Sequence, residues 1–103
     1  MKPSYMAGRR DFSGVSLEDA NLSNSNLEGI NLSNAHMLYC NLDNTDLSNA
    51  NLENADARYS RLEDTILKGA NVRNTDLRYC HLKYTDLSVI DIHAAILDDE
   101  YYD

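Results

Sequence analysis

No apolar run in this chain approaches the ~20 residues that a membrane-spanning helix requires. No membrane partner is therefore expected. The first ten residues hold Lys2, Pro3, Ser4, Arg9 and Arg10 but no apolar core of the secretory kind, so they do not read as a signal peptide. Arg9-Arg10-Asp11-Phe12 superficially resembles a twin-arginine export signal. The residues after it are polar and belong to the repeat described below, so export is not expected. Cysteine is scarce: Cys40 and Cys80, outside a secretory context, point to reduced thiols and a cytoplasmic protein. Glycine is scarce too. Gly8, Gly14, Gly29 and Gly69 are scattered, so no Gly-rich phosphate loop exists and no nucleotide cofactor is implied. Basic residues are outnumbered, 9 against 17 acidic. That balance disfavours direct nucleic-acid binding, which needs a net positive face. It leaves open basic partners or mimicry of a polyanion.

What the sequence does hold is a period of five. Every residue whose number ends in 2 or 7, from Phe12 to Leu97, is apolar, eighteen in all, and Ala57 is the only small one. Two positions before each of these centres stand small or apolar residues, from Val15, Ala20 and Ser25 through Thr85, Ile90 and Ala95; only Arg10 breaks the rule. The residue just before each centre is mostly Asn or Asp. Five residues on an α-helix advance about 500°, so the leucines would spiral instead of forming a stripe. On a flat strand an odd period would send alternate leucines to opposite faces. The pattern works if each step turns a corner. In an extended stretch the centre and the residue two before it point to one side, and the Asn, Asp, Ser and Gly between them suit a turn. Corners of about 90° close a square after four steps, or about twenty residues.

A twenty-residue period is visible independently. Tyr39, Tyr59 and Tyr79 fall at one repeat position, as do Asn34, Asn54 and Asn74. Thr45, Thr65 and Thr85 line one interior column, and Cys40 and Cys80 lie forty apart. Stacked coils at strand spacing, about 4.8 Å, would give about four and a half coils and a rod of roughly 22 Å. Residues 1–10 read as an N-terminal cap, 11–99 as the repeat body and 100–103 as an acidic tail. Tyr5 and Met6 are expected to cover Phe12 and Leu17 at one end, and Tyr101 and Tyr102 to cover Ile92 or Leu97 at the other. Ala57, between Met37 and Leu77 in its column, should be the thinnest layer of the core.

The steps Ala20-Asn21-Leu22-Ser23-Asn24, Ala50-Asn51-Leu52-Glu53-Asn54 and Thr75-Asp76-Leu77-Arg78-Tyr79 resemble the pentapeptide-repeat family, whose consensus is A(D/N)LXX. The resemblance covers residues 11–99. It implies an all-β fold, a right-handed quadrilateral β-helix. The opening from Ala7 to Gly14 looks like that of cyanobacterial members. The family brings no shared catalytic residues.

His36, His81 and His93 fall in different outward columns, so no metal site is expected. Cys40 and Cys80 should point inward as small hydrophobes. Two coils apart, at about 9.6 Å by strand spacing, they lie beyond the roughly 7 Å that a disulfide allows. No catalytic constellation is present, and no enzyme is expected. Charge runs in bands. Eight acidic and no basic residues lie from Asp11 to Asp56, six basic against three acidic from Arg58 to Lys83, and six acidic and no basic from Asp86 on. Cross-coil pairing should set Glu53 beside Arg73 and Glu63 beside Lys83. Leu38, Tyr39, Arg58, Tyr59, Arg78 and Tyr79 should share one outer face. Exposed Tyr and Arg are typical of binding hot spots, whereas the same rings could serve only as a stabilising ladder.

Two functions follow as expectations. The first is a non-enzymatic interaction scaffold, monomeric or weakly dimeric, with its protein partner on the tyrosine face. The alternative is a DNA-mimicking inhibitor of a DNA-binding enzyme such as gyrase, the role of some members of the family. A rod of roughly 22 Å would span only six or seven base pairs at about 3.4 Å each, and the basic band interrupts an acidic stripe. The long C-terminal extension of the gyrase-type members is not expected here.

Overall fold

The structure, a computed structural model, describes residues 8–102. The five-residue step resolves into one extended residue, one buried centre and a tight turn. The extended residue pairs in parallel with its equivalent twenty residues on: Asp11 with Asn31, Ser16 with His36, and so in succession to Arg61 with His81. Each centre from Phe12 to Leu62 donates its N–H along the stack, as Phe12 does to the Asn31 carbonyl at 2.8 Å, while Asn31 donates to the Arg10 carbonyl at 2.9 Å. The chain is thus a quadrilateral β-helix with twenty residues per coil and four faces. Tyr5 and Met6 lie outside the described residues.

The corner has one recurrent geometry. The residue two after each centre adopts positive φ, from Gly14 at 70° and Asp19 at 63° through Tyr79 and Tyr84, both at 65°. The N–H of the following residue returns to the centre's carbonyl, as Ala20 does to Leu17 at 3.0 Å. This is the type II turn, which needs a left-handed residue at its third position. Gly and Asn supply it at most corners, and Asp tolerates it. Tyr39, Tyr59, Tyr79 and Tyr84 do so against preference.

Sixteen of the eighteen centres are buried, and the inward positions beside them are small enough to fill the space between four facing walls. Where those positions are polar they are satisfied. Thr45 donates to the Leu22 carbonyl at 2.8 Å, Ser60 to Met37 at 2.6 Å, Thr65 to Leu42 at 2.8 Å, Thr75 to Leu52 at 2.6 Å, and Thr85 to Leu62. Among the described residues no buried side-chain polar atom is left without a partner, as a stable interior requires.

Two centres depart from expectation. Leu87 and Ile92 are only half-buried. The ladder breaks at a 3-10 helix, Leu87–Val89, whose N-cap Asp86 accepts from the Ser88 N–H at 2.9 Å and from its hydroxyl at 2.6 Å. The cause lies at the corner position. Every such residue from Gly14 to Tyr84 is Gly, Asn, Asp or Tyr; the next is Val89, whose β-branch makes positive φ prohibitive. Asn74 then donates to Ala94, twenty residues on instead of nineteen, before Leu77 to Ile96 at 2.8 Å restores the register and buries Leu97. The phenol of Tyr102, in a second 3-10 helix, Asp99–Tyr102, accepts from the Leu97 N–H and donates to the Ala95 carbonyl, both at 2.9 Å. Tyr101 packs half-buried against the core.

Candidate interaction face

One wall of the coil carries residues 36–40, 56–60 and 76–80. Its corner residues are the three tyrosines. Because coils are spaced at nearly the distance of stacked aromatic rings, the rings lie flat on one another. Tyr39 and Tyr59 have centroids 5.1 Å apart and planes 13° apart; Tyr59 and Tyr79 are 5.0 Å and 20° apart. The rings keep their edges in solvent, 43–56 % exposed. Left-handed backbone costs a non-glycine residue roughly 1–2 kcal/mol, and stacking returns about 0.5–1.5 kcal/mol per pair. The ladder therefore offsets part of the strain of its own corners.

The backbone of this wall runs tyrosine to arginine. The Tyr39 N–H donates to the Arg58 carbonyl and the Tyr59 N–H to the Arg78 carbonyl, both at 3.2 Å. At Tyr79 the next coil supplies a side chain instead: Asp98 receives the N–H on its two carboxylate oxygens at 3.1 and 3.2 Å.

The structure brings Leu38, Tyr39, Arg58, Tyr59, Arg78 and Tyr79 onto this one wall. Leu38, Arg58 and Arg78 are half-buried instead of fully outward. Each guanidinium folds back on the carboxylate two residues before it. Arg58 makes a two-point contact with Asp56 at 2.9 Å for each bond, and Arg78 with Asp76 at 2.9 and 2.7 Å. Arg58 also reaches Asp76 across the coil at 3.7 Å. The hydrogen bond from Arg58 holds the Asp56 carboxyl below its ordinary value, and that from Arg78 does the same for Asp76; both arginines are pushed up in return. Sequence reasoning passed over Asp56 and Asp76, although the spacing Asp-x-Arg, with the acid at the paired position, is the signal for them. The wall is thus aromatic, with its charges already neutralised in pairs.

Elsewhere the basic band is similarly compensated. Arg73 pairs with Glu53 at 2.8 Å. Glu63 does not pair with Lys83: Arg61, which lies between Asp43 at 2.9 Å and Glu63 at 3.5 Å, takes the carboxylate, and the Lys83 ammonium sits over the Tyr84 ring at 5.0 Å. Ser60 separates Cys40 from Cys80, and both thiols are free. Burial pushes each up to about 12, which removes them as nucleophiles at neutral pH. Cys80 Sγ donates to the Ala57 carbonyl at 2.9 Å. His36, His81 and His93 are exposed in separate columns, and His93 leans on Tyr102 with ring centroids 5.7 Å apart. Among the described residues no group of three or more His, Cys, Asp or Glu is placed to hold a metal ion, and no helix is long and apolar enough to cross a membrane.

A stacked coil with this step is a repeat-protein solenoid, and comparison with known proteins gives its kind. The pentapeptide repeat region matches residues 10–87, so the chain belongs to the pentapeptide repeat family. The match stops where Val89 stops the regular corner. The coil is the right-handed quadrilateral β-helix of that family. HetL, a pentapeptide repeat protein involved in heterocyst differentiation regulation from the cyanobacterium Nostoc sp. strain PCC 7120, is 30% identical, with a TM-score of 0.76 over 78% of this chain. The chain spans 34% of HetL. Rfr23 from the cyanobacterium Cyanothece 51142 is 31% identical over 86% of this chain and 60% of its own, with a TM-score of 0.42. The pentapeptide repeat protein alr5209 from Nostoc PCC 7120 is 27% identical over 93% of this chain and 91% of its own, with a TM-score of 0.49. No curated protein matches the chain.

Proposed function

We propose that this protein is a non-enzymatic scaffold that recognises a protein partner through the wall of Leu38, Tyr39, Arg58, Tyr59, Arg78 and Tyr79. The observation that carries the reading is the three-ring stack, solvent-exposed at its edge and flanked by arginines already paired to Asp56 and Asp76. Such a surface presents a ridge of aromatic ring edges at low entropic cost and strands no free cation when water leaves. The stack is also rigid, so little freedom remains to be lost on binding. Likeness to HetL, described as involved in heterocyst differentiation regulation, favours a binding role of regulatory kind. Two unpaired thiols favour a reducing compartment such as the cytoplasm.

The test is affinity capture from a lysate of the source cells with wild-type protein, Tyr59→Ala and Ser48→Ala as baits. Ser48 stands on the opposite wall, its hydroxyl bound to Asp46 at 2.5 Å. A partner recovered by wild type and Ser48→Ala but depleted by Tyr59→Ala fits the reading. Equal recovery by all three, at matched folded fraction, refutes it.

A further inference from the structure

The rings of the tyrosine wall are phenols held face to face. Parallel bridges from His36 to Asp56 and from Asp56 to Asp76 fix the register of this wall. Each tyrosine therefore meets its equivalent on the next coil, with centroids 5.1 Å apart for Tyr39 and Tyr59 and 5.0 Å apart for Tyr59 and Tyr79. Arg58 and Arg78 are turned onto Asp56 and Asp76, which leaves the ring faces to one another. The ring edges stay open to solvent and to anything dissolved in it. The other described tyrosines have no phenol beside them. Tyr84 is the most exposed of these, at 71 %, with the Lys83 ammonium 5.0 Å from its ring centroid. Tyr102 leans on His93, and Tyr101 packs half-buried against the core.

We propose that this stack is an oxidative cross-linking site, at which a one-electron oxidant joins Tyr59 covalently to Tyr39 or to Tyr79 as dityrosine. A phenol that gives one electron to the oxidant and one proton to water becomes a phenoxyl radical, with its unpaired electron shared onto the two ring carbons beside the oxygen. Two such radicals in neighbouring rings pair their electrons in a new bond between those carbons. Each bonded carbon then loses its hydrogen as a proton and each oxygen takes one up, which restores two phenols. The balance is one carbon–carbon bond formed, two electrons passed to the oxidant and two protons passed to water. Each carbon bonds through its π orbital, perpendicular to the ring, and stacking sets the partner ring along that perpendicular. Holding the two reactants together replaces an encounter between chains by a step within one chain. Tyr39 and Tyr79 lie two coils apart, about 9.6 Å by strand spacing, too far to couple with each other. Tyr59 is therefore one partner of every cross-link within the stack. The chemistry needs no protein on the wall and stands apart from the binding role proposed above.

The test oxidises the full chain, dilute and reduced, with photogenerated tris(bipyridine)ruthenium(III) and persulfate as the final electron acceptor. Cleavage by trypsin after Arg58, Arg61, Arg78 and Lys83 places Tyr39, Tyr59, Tyr79 and Tyr84 in four different peptides, so mass spectrometry names both partners of a cross-link. Dityrosine fluorescence should appear in the monomer band of a denaturing gel. Peptides joined through Tyr59, lighter by two hydrogens than their sum, should exceed those joined through Tyr84 at least tenfold, although Tyr84 is the more exposed. Tyr59→Phe keeps a ring in the stack but lacks the phenol oxygen, and dityrosine in the monomer should fall at least tenfold, with the fold checked by circular dichroism. Tyr84→Phe should leave it unchanged. Oxidation in urea should abolish the preference for Tyr59. Any of four results overturns the proposal: cross-links mainly through Tyr84 or between chains, monomer dityrosine undiminished in Tyr59→Phe, a preference for Tyr59 that survives unfolding, or phenol oxidation without cross-linking.

Discussion

Tyr59 holds a left-handed backbone at φ 64° and stacks on both neighbours, which sets two effects against each other in one substitution series. Tyr59→Ala removes two ring contacts of about 0.5–1.5 kcal/mol each and keeps the backbone strain, so a loss of about 1–3 kcal/mol follows. Tyr59→Gly removes the same contacts but relieves the strain, about 1–2 kcal/mol for a non-glycine residue. Its gain is reduced by about 0.4–1 kcal/mol of extra unfolded-state entropy. Glycine should therefore be more stable than alanine here by about 0.5–1 kcal/mol. At an ordinary β position the order is the reverse. Urea denaturation followed by circular dichroism measures the difference, and melting should confirm it with a gap of roughly 2–8 °C. A Tyr59→Gly protein less stable than Tyr59→Ala would refute the left-handed corner at Tyr59 and with it the account of how the stack is held.

Further predictions concern the same elements. Asp56 and Asp76 titrate below their ordinary value because of Arg58 and Arg78. The stability they lend is therefore complete above the unfolded value of about 3.9 and is lost as pH falls through the lower folded value. The urea-midpoint gap between wild type and Asp76→Asn should be widest at neutral pH and narrow below about pH 4; a gap that widens in acid contradicts the pairing. Ala57 is buried between Met37 and Leu77 at a position that elsewhere holds larger apolar residues. Ala57→Leu should raise stability by up to ~1–2 kcal/mol, whereas a lower melting temperature would mean the layer is already full. Val89→Asn restores a residue that tolerates the left-handed corner. It should extend the ladder by one step, slowing amide exchange at Leu67 and Gly69; unchanged exchange there would mean that Asp86 and Ser88, not Val89, decide the break.

The repeat was legible because its signal is an average. Eighteen centres and their inward partners carry the period redundantly, so no single residue could hide it, and the twenty-residue recurrence of Tyr39, Tyr59 and Tyr79 gave the coil length. What escaped depends on single residues. The interruption at Leu87 and Ile92 hangs on Val89, an apolar residue at a position whose requirement is conformational, which a hydrophobic pattern does not register. The turning back of Arg58 and Arg78 onto Asp56 and Asp76, and the preference of Glu63 for Arg61 over Lys83, are choices between neighbours at similar distance. Side-chain reach and geometry decide them, and the column assignments leave them equal. The tyrosine wall was legible as a column, but its left-handed backbone was not, since Tyr is a poor residue for that conformation and takes it because every corner of the coil imposes it, Tyr84 included.

In the proposed function the tyrosine wall, and not the coil in general, recognises a partner. Isothermal titration of the captured partner into wild type, Tyr59→Gly and Ser48→Ala, each verified as fully folded, separates the two. Ser48→Ala should bind as wild type does, while Tyr59→Gly should lose about tenfold or more in affinity, corresponding to more than ~1 kcal/mol. Wild-type affinity in Tyr59→Gly would contradict it and leave the ladder a structural element alone.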